Sequence, residues 1–255
     1  MNSLTNLGAK AGPFFIAFSL LFFSVQHFAY ADPIFVGGFG PEWIPGRAFW
    51  AYFFGVAFIL GAIAILFNKK VQLTATILAL LIFVFTLFFF LPVLVSNIYA
   101  GGAWTNTFKG FTLCGCMLLV AGSQHEQNRF VDKNVYRNIG GFLMAITMVI
   151  FGIEHFIYIE FVTMLVPEWM PARTFWSYFC GVALIAAGVG IIIRKKARLA
   201  ASLLGLMIFL WVIMLHIPRA IATNTASEWT NTFIALTFSG GAFILASMLP
   251  EDSDR

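Results

Sequence analysis

Two polar pairs, Gln26-His27 and Glu154-His155, sit inside otherwise apolar stretches. Imidazoles on two matched helices can ligate a haem iron. They can also hydrogen-bond a quinone carbonyl, with Glu154 as the proton carrier. A plainer role is open to the same residues: each ring can tie its helix to a neighbouring loop. A third histidine, His216, stands two residues before Pro218 and has Phe90 at the matching place, so it is not duplicated. The second set of candidates is Glu42 with Arg47 and Glu168 with Arg173, opposite charges on two short Pro-Glu-Trp-x-Pro-x-Arg loops. These either brace the loops as ion pairs or touch a ligand directly. The eight candidate ligand-binding residues are therefore Gln26, His27, Glu42, Arg47, Glu154, His155, Glu168 and Arg173.

Other chemistries find no motif. His125-Glu126 lacks the second histidine of a zinc-protease signature, because position 129 is Arg. Cys114 and Cys116 point to different faces of a helix and Cys180 matches Phe54, so no CxxC pair exists and free thiols acting as small hydrophobes are expected. There is no P-loop and no nucleophile elbow. Gly37-Gly38-Phe39-Gly40 lacks a strand-helix context and reads as a loop hinge. No metal site is expected, and no catalytic residue is assigned.

The elements that position these residues are declared by an internal repeat. Residues 41–57, PEWIPGRAFWAYFFGVA, return at 167–183 as PEWMPARTFWSYFCGVA with 12 of 17 positions identical. His27 matches His155, Lys69-Lys70 matches Lys195-Lys196, Pro92 matches Pro218, and Trp104-Thr-Asn-Thr-Phe108 matches Trp229-Thr-Asn-Thr-Phe233. Self-similarity at a fixed offset means one structural unit used twice. The division is 1–123 for the first unit, a polar linker at 124–138, and 139–255 for the second.

Composition says what surrounds these units. The chain is 60% hydrophobic and 10% charged, with mean hydropathy +0.90, against about 25% charged residues in soluble domains. Lipid is its solvent. Apolar runs at 13–31, 48–67, 71–95, 106–122, 139–161, 174–193, 199–218 and 230–249 each approach the roughly 20 residues that span a ~30 Å core. The fourth and the last are weakest, with Thr and Gly inside them. Spanning segments must satisfy their own backbone groups, so the fold class is all-α: eight transmembrane helices as two parallel-repeat four-helix bundles. The first run resembles a signal peptide, with Lys10 before it and Ala29-Tyr30-Ala31 at its end. Its match to the internal run at 139–161 argues that it is retained.

Charge sets orientation. Lys10, Lys69, Lys70, Arg129, Lys133, Arg137, Arg194, Lys195, Lys196, Arg198 and Arg255 fall on one side, and Arg47, Lys109, Arg173 and Arg219 on the other, a split of 11 to 4. The positive-inside rule puts both termini in the cytoplasm. The net charge of +4 reports topology and not nucleic-acid binding. With helices starting at Pro13 and Ile139, the two histidines lie roughly 21–24 Å across, in the outer half of the bilayer. An ionisable group inside a span is costly and defaults to a functional hypothesis.

A membrane histidine followed by Pro-Glu-Trp-x-Pro-x-Arg-x-Phe-Trp-x-Tyr, a Gly-Val-Ala-rich helix and a basic hairpin resembles the DoxX-like family of small bacterial membrane proteins, whose wider relatives include the SURF-four cargo-receptor group. His27 and His155 fit that pattern, as do 41–50 and 167–176. The resemblance covers the whole chain as two fused copies. It implies a bacterial inner-membrane location and an accessory subunit of a redox or quinone-linked system, with another membrane or redox-complex protein as partner. Quinone and haem both stand as cofactor readings. A carrier for a small solute or lipid, and a partner-binding scaffold, are the alternatives. The family pattern leaves open whether the chain is an enzyme.

Overall fold

The computed structural model describes residues 2–35, 38–39, 42–124 and 131–251. Gly37, Gly40, Pro41, His125, Glu126, Arg129 and Arg255, invoked above, lie outside the described residues. The first half runs α1 (Asn2–Tyr30), a minimal antiparallel pairing of β1 (Ile34–Phe35) with β2 (Gly38–Phe39), α2 (Arg47–Leu66), α3 (Val71–Phe85), α4 (Leu91–Ser96) and α5 (Gly101–Ser123). The second runs α6 (Lys133–Ile157), α7 (Ile159–Leu165), α8 (Arg173–Ile192), α9 (Ala197–Trp211), α10 (Ile217–Thr223) and α11 (Ala226–Met248). A single π-helical segment joins α3 to α4 (Thr86–Phe90) and another joins α9 to α10 (Val212–His216).

Among the described residues, seven helices are long and apolar enough to cross a membrane: Thr5–Tyr30, Arg47–Leu66, Val71–Ser96, Lys133–Ile157, Arg173–Ile192, Ala197–Thr223 and Ala226–Met248. The chain is a multi-pass helical membrane protein. The run expected at 106–122 forms α5, long enough at 23 residues but not among the seven. Its position explains its composition. α5 packs against α3, α6 and α11, and buries Thr107, Gly110, Thr112, Gly115 and Gly122 along with its apolar side chains. A helix walled by other helices needs no lipid-facing surface. α11 is the other interior helix, with 72% of its most apolar window buried. Outward-facing Phe18, Phe53, Leu60, Leu80, Phe88 and Phe179 are instead exposed, as lipid-facing side chains must be.

Helix contacts follow one scheme in both halves. α1 packs on α2 and α6 on α8, while α3 packs on α5 and α9 on α11. The long contacts between halves are also matched: α1 lies against α11, and α6 against α5. Both rest on glycine. A Cβ on Gly12 would lie 2.7 Å from the Gly240 carbonyl oxygen, and one on Gly140 would lie 2.7 Å from that of Gly115. Small residues at such crossings let two backbones touch, which is how helices gain packing energy in lipid.

Some boundaries differ from expectation. α1 begins eleven residues before Pro13, since a transmembrane helix tolerates a proline within it. The polar connector expected to reach residue 138 turns helical at Lys133, where Asp132 accepts the Asn134 amide at 2.6 Å as an N-cap. Each π segment ends two residues before a proline, Pro92 or Pro218. A ring that cannot donate and that crowds the preceding turn favours a widened turn there. The first segment is anchored by Thr107, whose hydroxyl donates to the Phe90 carbonyl at 3.2 Å, and it seats Thr86 directly over Gly110.

Gly115→Leu should therefore lower stability by roughly 1–3 kcal/mol through overpacking, read as a drop in the thermal unfolding midpoint in detergent. Gly102→Ala, whose added methyl meets nothing within 4 Å, should stay within about 0.5 kcal/mol of wild type. Equal behaviour of the two variants would show that α5 and α6 do not touch.

Candidate functional site

The end of the bundle opposite the lysine-rich turns gathers the polar side chains of α1, α5, α6, α10 and α11. Gln26 on α1 is buried and reaches across to α11: its Nε2 donates to the Ala226 carbonyl at 3.1 Å, and its Oε1 accepts from the Thr230 hydroxyl at 3.0 Å. Glu154 on α6 meets α5 in the same way. The Thr105 hydroxyl lies 3.1 and 3.0 Å from its two carboxylate oxygens. Thr105 and Thr230 hold the same place in the two Trp-Thr-Asn-Thr-Phe motifs. The two pairs are thus matched contacts, one neutral and one charged.

The histidines are held differently from their neighbours. His27 Nδ1 and His155 Nδ1 each lie 2.7 Å from a carbonyl one turn back on their own helices, Phe23 and Phe151. His27 has no exposed surface and stands edge-on to Phe58, 5.4 Å between ring centres. His155 is half-buried and stacks on Trp211 at 6.2 Å. A bis-imidazole haem needs both rings open to one iron, and His27 is enclosed by aromatic side chains. The apolar cavity beside it, lined in part by Phe23, Phe58, Phe85 and Phe90, has a volume of about 20 Å³, room for about one water. The residues present do not fit a haem. No three metal-ligating side chains converge among the described residues.

The loop charges do not join this group. Arg47 pairs with Asp32 at 2.6 Å, not with Glu42, which is exposed. Asp32 follows α1 directly and so lies beside the first turn of α2, closer than a residue held in the proline-stiffened loop. Glu168 is exposed, and Arg173 has no carboxylate within ion-pairing distance among the described residues. Trp43 and Trp169 are both largely exposed, as interfacial anchors are.

Other residues join in their place. Lys109, one of the four outer-side basic residues, lies eight residues inside α5 and donates to Asn231 Oδ1 on α11 at 2.9 Å. It is within Coulombic reach of Glu154 and Glu228. Glu228 pairs with Arg219 at 2.7 Å, tying α10 to α11 across the left-handed turn at Asn224. His216 ends the second π segment within Coulombic reach of Lys109 and Arg219, and its buried Nδ1 has no hydrogen-bond partner among the described residues. Five ionisable residues thus share one end of the molecule. The repeat itself carried the signal for them. Lys109 stands where the other half has Ile234, Glu154 where it has Gln26, His216 where it has Phe90, Arg219 where it has Val93, and Glu228 where it has Ala103. These five differences in charge fall together in space, whereas Arg137, Arg194 and Arg198, which stand where the other half has Ala9, Asn68 and Gln72, lie at the opposite end.

The matched pairs allow a controlled comparison. Thr105→Val removes the only donor that Glu154 has among the described residues, and should cost about 1–3 kcal/mol. Thr230→Val leaves Gln26 its bond to Ala226 and should cost less. Thermal unfolding of both variants in one detergent checks this, and an equal loss would contradict it.

A family model described as "Domain of unknown function (DUF8561)" matches residues 144–237, from the middle of α6 into α11. No curated protein matches the chain, and no solved structure does.

Proposed function

We propose that the chain is the membrane-embedded, non-autonomous subunit of a redox or quinone-linked system, and that a lipophilic ligand sets its polar head between Lys109 and Glu154. One observation carries this reading. Opposite charges lie within reach of each other inside a helical bundle, yet each is met by a neutral side chain: Asn231 for Lys109, Thr105 for Glu154. Charges inside a span are costly, so two that stay apart suit a third group that engages both. A quinone or quinol offers one. In the quinol form, the ammonium donates to a hydroxyl oxygen and the carboxylate accepts from a hydroxyl; in the quinone form, the ammonium alone donates to a carbonyl oxygen. His216, Arg219 and Glu228 border the same place and set its local field.

The finer topology belongs to the same proposal. α5 is the eighth crossing, since the helices that wall it cross. The matched helix contacts support two parallel four-helix units, and the basic turns support cytoplasmic termini in a bacterial inner membrane, which puts the ligand near the outer face. The DoxX-like resemblance points to a membrane or redox-complex protein as the partner. A second reading, a carrier for a small solute or lipid, draws support from the π segments, since transporters place broken helices beside their sites.

Purified protein should release a quinone-class compound on solvent extraction. Lys109→Leu and Glu154→Gln should each lower that yield roughly tenfold or more, the effect of losing one charge-assisted hydrogen bond. A wild-type protein that yields no lipophilic compound, or variants that yield as much as wild type, would contradict the proposal. Uptake of a solute by vesicles, abolished by the same variants while no quinone is extracted, would favour the carrier.

A further inference from the structure

The opposite end of the molecule carries a groove of about 940 Å³ that the ligand site above does not use. It opens among the start of α1, the end of α5, the start of α6, the turn between α8 and α9, and the end of α11. Its polar wall is basic: Lys133, Arg137, Arg194, Lys195 and Lys196 line it, against Glu251 as the carboxylate among its described lining residues. That carboxylate is engaged by Arg198 at 3.2 Å. Its floor is apolar, with Ala9, Pro13, Ile244 and Leu249.

Two guanidinium groups are drawn together here. Arg137 Nε and Nη2 lie 3.4 and 3.3 Å from the Asn138 amide oxygen, and Arg194 Nη2 lies 3.3 Å from the same atom. Arg137 Nη1 also reaches the Met248 carbonyl, at 3.4 Å. A single neutral oxygen between two like charges does not offset their repulsion. An anion does. Guanidinium forks match phosphate oxygens in pairs, and Lys133 and Lys195 stand on the same wall as point charges.

We infer that this groove binds the phosphate headgroup of an anionic phospholipid, with Arg137 and Arg194 as its clamp and the apolar floor under the start of its acyl chains. Phosphate chemistry alone would equally admit free phosphate. The apolar floor at the ends of membrane-length helices favours the lipid, because basic pockets between helix ends recruit anionic headgroups. The lysine turn at Lys69-Lys70 carries comparable charge but lines no part of the groove.

Full-length protein would be reconstituted in nanodiscs of phosphatidylcholine with phosphatidylglycerol, then released into detergent and weighed by native mass spectrometry. Wild type should retain phosphatidylglycerol over phosphatidylcholine. R137Q/R194Q should retain about tenfold less, having lost two charge-assisted contacts. K69Q/K70Q, which removes the same charge elsewhere, should match wild type. Unfolding midpoints in pure phosphatidylcholine report whether each variant is folded. A variant that unfolds there would be replaced by R137K/R194K, which keeps the charge, loses the forks and should still retain less lipid. No preference in wild type, equal loss in both double variants, or full retention by R137Q/R194Q would overturn the inference. So would stabilisation of delipidated protein by millimolar inorganic phosphate as large as that given by the lipid, since the site would then be one for free phosphate.

Discussion

The joining of the two halves depends on two places where backbones touch. In lipid, helices gain nothing by hiding apolar surface from a solvent that is itself apolar, so close packing and interhelical hydrogen bonds must hold them. Gly12 meets Gly240 and Gly115 meets Gly140, and these crossings join α1 to α11 and α5 to α6. Each crossing ties one half of the chain to the other. Polar pairs fix the register further along the same helices: Gln26 with Thr230, and Glu154 with Thr105. Backbone approach and hydrogen bonding therefore act on one seam.

That seam explains where polarity is tolerated. α5 and α11 lie inside, so their Thr, Asn and Gly face protein and not lipid, and α5 can carry Lys109 within its length. The outer helices face the bilayer and are correspondingly apolar. A protein built this way can alter the chemistry at one end of the seam without disturbing the scaffold. Five charged departures between the halves sit there, and a neutral contact in one half becomes a carboxylate in the other. The basic groove at the far end is separate from it and draws on the α8–α9 turn and the termini of α5, α6 and α11.

Much of the fold was legible in the residues. Apolar runs located the long helices, and the Pro-Glu-Trp-x-Pro-x-Arg blocks marked where two of them begin. Pairing across the halves was not legible, because α5 and α11 share the Trp-Thr-Asn-Thr-Phe motif and α1 could rest on either. The start of α1 was hidden by Pro13, a residue that commonly marks a helix start but that a transmembrane helix can carry within it. Arg47 looked like the partner of Glu42 by proximity in sequence, while Asp32, brought close by the return of the chain after α1, takes it. Of the candidate site, Gln26 and Glu154 were found through their place beside the histidines. Lys109 was missed because it was weighed only as an outer-side charge, although it lies inside the 106–122 run and its replacement of Ile234 was visible in the repeat.

The interlocking of the two halves is tested most directly by cutting the chain between them. A protease site inserted between Gln124 and Val131 would be cleaved in detergent-solubilised protein, and the product resolved by size-exclusion chromatography. Both fragments should elute together as one complex of unchanged size, held by α1 against α11 and α6 against α5. Separation into two folded fragments would contradict it.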